Sequence, residues 1–310
     1  MLHWLLQQSG RLLSRGKLSI LIYHQVLAEF DPMRPTEPTA AVFDWQMQLL
    51  ARYFTPLSLD QALQHLADNS LPANAVCVTF DDGYLNNLTV AAPILAKYQI
   101  PATVYIATAF STGTNMWNDR IIDLCGDTKR DTLQYNAERF TLSDRANRIS
   151  AAEKLLKALK YLPIEQRLAE VDVLYQQNQA SEYQPRMMNA NQIKQLADAG
   201  ISIGAHTRQH PILKSIPAAE QQQQIEQSKA WLEQLLASPV QHFAYPNGVE
   251  GRDFDDTTVN LVQQAGFLSA VVTDWGYNTA SSPRLKLKRF TPWDRQPVKF
   301  QLRLLKNLLS

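Results

Sequence analysis

Short apolar runs rich in β-branched residues alternate along the chain with longer segments of helical spacing. The apolar runs predict buried strands, and the segments between them predict helices that pack on those strands. Repeated strand–helix units with polar residues at the strand ends indicate a parallel α/β barrel. The predicted strands are residues 17–23, 76–80, 102–107, 201–205, 241–245, 267–273 and 285–290.

Two adjacent carboxylates, Asp81 and Asp82, follow the strand 76–80 directly, and Gly83 then permits a turn. The carboxyl ends of strands are where α/β proteins place their chemistry. A turn can bring both carboxylates into one cleft, where one is held ionised by a cation and the other moves protons. A solvated turn is the alternative for an isolated Asp-Asp-Gly sequence.

A pair of histidines, His206 and His210, follows the predicted strand 201–205. Side chains four residues apart on a turn or short helix can face the same way, although Pro211 favours a loop here. Two histidines with one carboxylate and an open position form a catalytic metal site that suits zinc and similar ions. The pair alone is a weak signal, and the strand that ends in two aspartates makes it much more specific.

These motifs resemble those of the polysaccharide deacetylase family, the chitooligosaccharide deacetylase homology domain. Residues 79–83 (TFDDG) are similar to the first motif of that family, and 206–210 (HTRQH) are similar to the second. Residues 243–248 (FAYPNG) and the pair 23–24 (YH) resemble the exopolysaccharide-type branch. The resemblance runs from about Leu18 to Phe290 and implies a distorted (β/α)7 barrel.

The resemblance implies a metal-dependent hydrolase that removes the acetyl group from an N-acetylated sugar in a polysaccharide, an oligosaccharide or a lipid-linked glycan. It implies that one divalent metal ion, zinc by ligand type, is held by Asp82, His206 and His210. It also implies that Asp81 is the general base. The third-motif residues Tyr245 and Asn247 are placed at the substrate, with a backbone N–H near Asn247 at the oxyanion.

Three positions depart from the pattern of the family. Ala244 stands where an arginine usually steadies the base, and Asn247 replaces a tyrosine. Arg289, on the last predicted strand, is the candidate to reach the site from another side, and it is grouped with Tyr245 and Asn247 at the substrate or oxyanion. The late motif that supplies a general acid lacks its histidine in 285–289. His24 is the candidate replacement, because its strand is expected to end at the same mouth.

The predicted organisation is an N-terminal amphipathic segment at 1–17, a barrel at 18–295 and a basic amphipathic helix at 296–310. A charge-rich helical insertion without a strong strand is expected at about 111–188, as a cap or partner surface. Trp117 within it either touches substrate or packs the insertion onto the barrel. The glutamine run 221–224 is expected on a solvated helix face.

Both chain ends combine apolar and basic residues. Each is expected either to pack on the barrel or to rest on an anionic membrane surface. The apolar run at 1–6 is short and no small-x-small cleavage pattern follows it, so it does not predict a signal peptide. The expected location is the cytoplasm, with peripheral contact at the inner membrane surface as the second option.

Net charge and cysteine content bear on the partners and on the compartment of the protein. The formal net charge of +1 gives no global signal for nucleic acid. The two cysteines, Cys77 and Cys125, make no disulfide framework and fit a reducing compartment.

Two function classes stay open at this point. One is the N-deacetylase, with removal of a formyl group from a lipid-linked amino sugar as a variant. The other is a non-catalytic carbohydrate-binding relative. The presence of all three ligand positions and of the base favours the enzyme.

Overall fold

A computed structural model of the chain describes residues 2–309, except for the side chains of Leu2 and Leu5. The strands are β1 (Ser19–Tyr23), β2 (Thr55–Pro56), β3 (Ala75–Phe80), β4 (Ala102–Ile106), β5 (Thr132–Tyr135), β6 (Glu138–Thr141), β7 (Ser202–Ala205), β8 (His242–Ala244), β9 (Ser269–Trp275) and β10 (Leu287–Arg289). The helices are α1 (Leu2–Leu13), α2 (Ala40–Tyr53), α3 (Leu59–Ala67), α4 (Ala92–Lys97), α5 (Trp117–Gly126), α6 (Arg145–Leu159), α7 (Ile164–Gln177), α8 (Ala190–Asp198), α9 (Ala218–Leu236), α10 (Asp256–Gln264) and α11 (Pro297–Asn307).

Seven parallel strands form the barrel wall in the order β1-β3-β4-β7-β8-β9-β10, and β2 pairs with the start of β3. The wall closes between β10 and β1. The Ile22 N–H donates to the Phe290 carbonyl (3.0 Å), and the Phe290 N–H donates to the Ile20 carbonyl (2.8 Å). The predicted distorted (β/α)7 barrel is therefore confirmed. Because all the wall strands are parallel, their carboxyl ends meet at one mouth.

Side-chain caps fix where several of the surrounding helices begin. Ser58 accepts a hydrogen bond from the Gln61 N–H, and the Gln61 side chain returns one to the Ser58 N–H. Asn189 and Gln192 form the same capping box at the start of α8. Such caps satisfy backbone donors that the first helical turn leaves unpaired.

The insertion has a hydrophobic core of its own, formed by α5, α6 and α7 with residues such as Leu124, Leu155 and Val171. It also contains an antiparallel hairpin of β5 and β6, which the sequence pattern does not predict. The hairpin buries Leu133 and Phe140 in that core. Its strands are four residues long and mostly exposed elsewhere, so they carry too little alternation to be recognised.

The two terminal helices pack together and against α2. His3 Nδ1 lies 2.7 Å from Gln301 Oε1, and Phe300 and Leu304 of α11 are buried. Packing on the barrel, the first of the two alternatives, is thus the arrangement observed, while membrane contact stays a prediction. A helix long and apolar enough to cross a bilayer is not found within residues 2–309.

Candidate active site

Asp81 and Asp82 leave the carboxyl end of β3 and line one cavity of about 790 Å³, here called the site cavity. The backbone turns sharply at this point, with φ of 74° at Asp82 and 90° at Gly83. This left-handed turn allows both neighbouring carboxylates to face one space, as the sequence predicts. A Cβ on Gly83 would come within 2.9 Å of Ile106 Cδ1, so close packing also favours glycine there. Further residues of the site cavity are His24, His206, His210 and Asn247.

Asp82, His206 and His210 bring three potential ligand atoms within 4.8 Å of one another. The Nε2 atoms of His206 and His210 lie 3.4 and 3.5 Å from Asp82 Oδ1. This oxygen is buried and has no hydrogen-bond partner among the residues that the structure describes. A buried carboxylate oxygen without a partner is costly, and a divalent cation would satisfy it. One carboxylate with two imidazoles suits zinc, so the residues present fit a metal ion.

Contacts behind the two histidines fix the ring of His206 and the backbone of His210. His206 Nδ1 donates to the Ala244 carbonyl at 2.7 Å, which leaves Nε2 free to face Asp82. The His210 N–H donates to Thr207 Oγ1 at 3.1 Å. Thr207 and His210 have φ values of 63° and 53°. The segment is therefore a loop, as Pro211 indicates, and not a helix.

Gln224, on α9, anchors this loop, and sequence reasoning missed it. Its Oε1 accepts from the Gln209 N–H (2.8 Å), and its Nε2 donates to Gln209 Oε1 (2.7 Å). The expectation of a solvated glutamine run is wrong for Gln221 and Gln224, which are buried. Their spacing of three residues places them on one helix face, and this was the available signal.

The surroundings shift the titration of the three potential ligands. Burial lowers the pKa of His210 to about 4, against the opposing charge of Asp82. Burial also disfavours protonated His206, but Asp81 and Asp82 outweigh it and raise the pKa of His206. Burial raises the pKa of Asp82, but His206 and His210 hold it well below its usual range. Ionised Asp82 and neutral His210 are the forms that bind a cation.

Asp81 is held by Arg289 in a bidentate ion pair. The Arg289 Nη1 donates to Asp81 Oδ1 and Nη2 donates to Oδ2, both at 2.7 Å. Arg289 is fully buried, and its Nε donates to the Val272 carbonyl at 2.9 Å. Burial raises the pKa of Asp81, but Arg289 and His206 outweigh it and lower that pKa below the ordinary value. Arg289 therefore steadies Asp81 from the last strand. It lies behind this carboxylate and not at the cavity surface, so its expected contact with substrate is corrected.

His24 follows β1 and lines the site cavity, where it is half-buried. Asn87 Nδ2 donates to the His24 carbonyl at 2.9 Å from a π-helical turn, Asn87–Ala91. Glu37 lines the same cavity and accepts a hydrogen bond from the Gln25 N–H at 3.3 Å. Burial raises the pKa of Glu37, and His24 opposes this shift only in part. Sequence reasoning missed Glu37, since a proline-rich loop gives no periodic signal.

The third-motif segment places one of its two predicted residues in the site cavity. Asn247 lines it with φ of 60°, and Thr273 Oγ1 donates to the Asn247 carbonyl at 2.7 Å. No acceptor within residues 2–309 takes up the Asn247 N–H. Tyr245 is instead fully buried, donates to the Leu285 carbonyl (2.9 Å) and stacks on Phe254. Its expected contact with substrate is therefore corrected, because its ring points into the core.

The insertion borders the site cavity. Trp117 packs in the core of the insertion, is 8% exposed and also lines the site cavity. Tyr84 donates to Asp119 Oδ2 (2.8 Å), and Arg34 Nη2 donates to Asp119 Oδ1 (2.7 Å). This buried network ties α5 to the loop that follows Asp82, so the insertion is held against the mouth of the barrel.

Comparison with solved structures shows the same fold in known deacetylases. The Streptococcus pyogenes deacetylase PplD in complex with acetate has a TM-score of 0.62 and 21% identity, covering 94% of this chain and 98% of its own. IcaB from Ammonifex degensii has a TM-score of 0.59 and 18% identity, covering 92% of this chain and 97% of its own.

Sequence comparison identifies the family of the chain. A candidate polysaccharide deacetylase, YxkH from Bacillus subtilis (strain 168), is 21% identical over 261 residues. The match covers 84% of this chain and 66% of that relative, slightly under two thirds of its length. The family model for polysaccharide deacetylases matches residues 68–270, a span that contains both aspartates and both histidines of the site. This match covers well over half of the chain, which therefore belongs to the polysaccharide deacetylase family.

Proposed function

We propose that the protein is a metal-dependent N-deacetylase that hydrolyses the acetamide of an N-acetylated sugar to acetate and a free amine. The arrangement that carries the proposal is Asp81, paired with Arg289, directly beside the cluster formed by Asp82, His206 and His210. A carbohydrate-binding protein without catalysis has no need of a buried, ionised carboxylate held at a potential metal site. The intact base and its arginine therefore favour the enzyme over the binding relative.

Asp82, His206 and His210 would hold one divalent ion, and their donor types favour zinc. Such an ion polarises a carbonyl group and lowers the pKa of water, which supplies electrophile and nucleophile near neutral pH. The His206 contact to Ala244 keeps the ligating nitrogen pointed at the site. The Gln224 contacts to Gln209 hold the loop that carries His210.

Asp81 acts as the general base in this proposal. It accepts a proton from the water whose oxygen attacks the acetamide carbon. Arg289 keeps Asp81 ionised and fixes its plane, while the carboxylate retains lone pairs for the incoming proton. The Asn247 N–H, which has no acceptor among the described residues, donates to the carbonyl oxygen as negative charge develops there.

His24 is the proposed general acid. The bond between carbon and nitrogen breaks only when the leaving nitrogen gains a proton, because an amide anion is a poor leaving group. His24 lines the site cavity with Asp81, and the Asn87 contact fixes its backbone. Its imidazole N–H delivers the proton to nitrogen, which leaves acetate and the free amine.

An acetate-release assay on metal-loaded protein tests the proposal. The substrates are N-acetylated oligosaccharides, their N-formylated counterparts and undecaprenyl-linked N-acetyl sugars, with Asp81→Asn as the matched inactive control. Acetate released by the parent and not by the variant supports the N-deacetylase. Formate released only from the N-formylated set identifies the deformylase, and glycan binding without release of either acid identifies the non-catalytic relative.

A further inference from the structure

A buried arginine without an acidic partner faces the site cavity from the insertion. Arg167, on α7, is 4% exposed and lines the site cavity. Its Nη1 donates to the Lys160 carbonyl at 3.1 Å, and its Nε is buried without a partner among the described residues. Burial lowers the pKa of Arg167 to about 10, and no acidic group of the described chain offsets this effect. A guanidinium removed from water in this way is costly unless something pairs with it.

The other buried arginines of residues 2–309 show what the fold ordinarily provides. Arg34 pairs with Asp119 and Asp123, and Arg289 pairs with Asp81. Arg120 pairs with two further carboxylates of the insertion. Arg167 departs from this pattern, although it lines the site cavity as the paired Arg34 does. Its missing anion is therefore expected to come from outside the chain.

Neighbouring groups shape the surroundings of Arg167 for an anion. Arg167 Cζ lies 4.8 Å from the centroid of the Trp117 ring, which supports one face of the planar guanidinium. Lys157 and Lys160 line the same cavity, Lys157 exposed and Lys160 half-buried. The cavity that these three cations line also contains His206 and His210 of the potential metal site.

The carboxylates that line the site cavity already have partners or lie near other groups. Asp119 is paired with Arg34, and Asp81 is paired with Arg289. Asp82 belongs to the potential metal cluster. Glu37 accepts a hydrogen bond from Gln25 and interacts with His24. These acids therefore leave Arg167 free to bind a ligand.

We propose that Lys157, Lys160 and Arg167 form a subsite for an anionic group of the sugar substrate, either a phosphoryl group or a carboxylate. The proposal rests on the proposed function, because it names the class of substrate for the same site. Guanidinium matches both oxyanions through two parallel N–H···O bonds, and its desolvated position strengthens each of them. The enzyme is thus specific for an N-acetylated sugar that carries negative charge next to the acetamide-bearing residue.

Arg167→Met tests the subsite, because methionine keeps an apolar stem against Trp117 and removes the charge. The substrates are a neutral chito-oligosaccharide, an N-acetylhexosamine phosphodiester and an N-acetylated oligosaccharide that contains a uronic acid. We expect the parent to prefer one charged substrate and Arg167→Met to lower kcat/KM for it by roughly 10- to 100-fold, mainly through KM. Turnover of the neutral substrate should change by less than about 3-fold, because that substrate brings no anion for Arg167 to bind.

Two further variants serve as controls. Arg139→Met removes an exposed arginine of the same insertion that lies outside the site cavity. It should leave kcat/KM unchanged for both neutral and charged substrates. Arg167→Lys should restore part of the preference, since lysine keeps the charge and loses the planar fork. The charged substrate that responds identifies the anion as phosphoryl or carboxylate. Equal losses on neutral and charged substrates, or no charge preference in the parent, would overturn the subsite.

A binding measurement separates the subsite from the catalytic proposal. Metal-free protein is titrated with N-acetylglucosamine 1-phosphate and with N-acetylglucosaminuronic acid. Without a metal ion, neither anion can bind through one. We expect calorimetry to show saturable binding of at least one of them that weakens with salt and disappears in Arg167→Met. Such binding without deacetylation of any substrate would support the subsite and contradict the proposed function. Deacetylation without binding that depends on Arg167 would support the function and overturn the subsite.

Discussion

Arg289 reaches Asp81 across a distance of 208 residues in the sequence and holds both of its oxygens at 2.7 Å. The two residues lie on β10 and directly after β3, which are separated in the barrel wall by β1. This pair explains why Ala244 can occupy the place of the arginine that usually steadies the base. The guanidinium enters from another strand, and the orientation and ionisation of Asp81 are preserved.

Removing this guanidinium should move the pH dependence of catalysis. In Arg289→Met the cation that lowers the pKa of Asp81 is absent, so burial raises that pKa. The ionised base then forms only at higher pH, and the acidic limb of kcat/KM should shift to higher pH. Arg284→Met, which removes an exposed arginine near the same strand, should leave the limb in place. An unmoved limb in Arg289→Met would show that Asp81 is not the titrating base.

The same variant should lose stability in a manner that depends on pH. An uncompensated buried carboxylate costs about 3–5 kcal/mol, so the free energy of unfolding should fall by this order near pH 7. In the parent, the lowered pKa of Asp81 contributes stability above the unfolded value of about 3.9. This contribution is lost as the pH falls through the folded pKa, so the two proteins should converge in acid. Urea unfolding from pH 7 to pH 3 measures the difference, and a constant gap would contradict the assignment.

The three clustered side chains should determine metal content. We expect the parent to bind about one divalent ion per chain, with zinc preferred by donor type. His206→Ala, His210→Ala and Asp82→Asn should each lose or weaken it, because each removes one of three ligand atoms. Elemental analysis after equilibration with metal and removal of the excess measures the content. Unchanged binding in all three variants would place the metal elsewhere.

Asp81→Asn separates base from ligand. The Asp81 carboxylate is paired with Arg289 and contributes none of the clustered ligand atoms. The metal content should therefore stay at the parental value. The rate should fall by roughly 10²- to 10⁴-fold, the scale of a lost general base. Asp82→Asn is the matched comparison, one residue away, and should lose metal. Equal metal loss in both variants would make Asp81 a ligand.

Local patterns predicted much of this arrangement. Apolar runs gave the strands, and the polar residues that follow them gave Asp81, Asp82 and His206, since parallel strands must end at one mouth. Tyr245 is the exception. The resemblance that implies its contact with substrate does not show which way its ring faces, and in the structure the ring packs in the core.

The remaining features depend on long-range closure, which sequence spacing does not encode. The contact between Asp81 and Arg289 exists because β10 returns to β1, and the family resemblance, not the spacing, made Arg289 a candidate. Glu37 reaches the site cavity from an irregular loop. Gln224 anchors the histidine loop from α9. Its place in a run of four glutamines hides the fact that it lies on a buried helix face.

His24 is expected to protonate the leaving amine. It lines the site cavity with Asp81, and histidine is the side chain that most often transfers protons in catalysis. His24→Ala should keep the fold and the metal while lowering kcat, because His24 is not among the clustered ligands. The acid acts in its protonated form, so the alkaline limb of the pH–rate profile should disappear or shift. His65→Ala, outside the site cavity on α3, is the matched control and should leave the profile unchanged.

A different result would redirect the assignment of the acid to a second residue. An unchanged profile with a large rise in KM would make His24 a residue that binds substrate. Glu37 then becomes the acid to test, because it lines the same cavity and burial raises its pKa. Glu37→Gln keeps the shape and the acceptor for the Gln25 N–H but cannot give up a proton. Loss of the alkaline limb in Glu37→Gln, with the limb intact in His24→Ala, would assign the proton to Glu37.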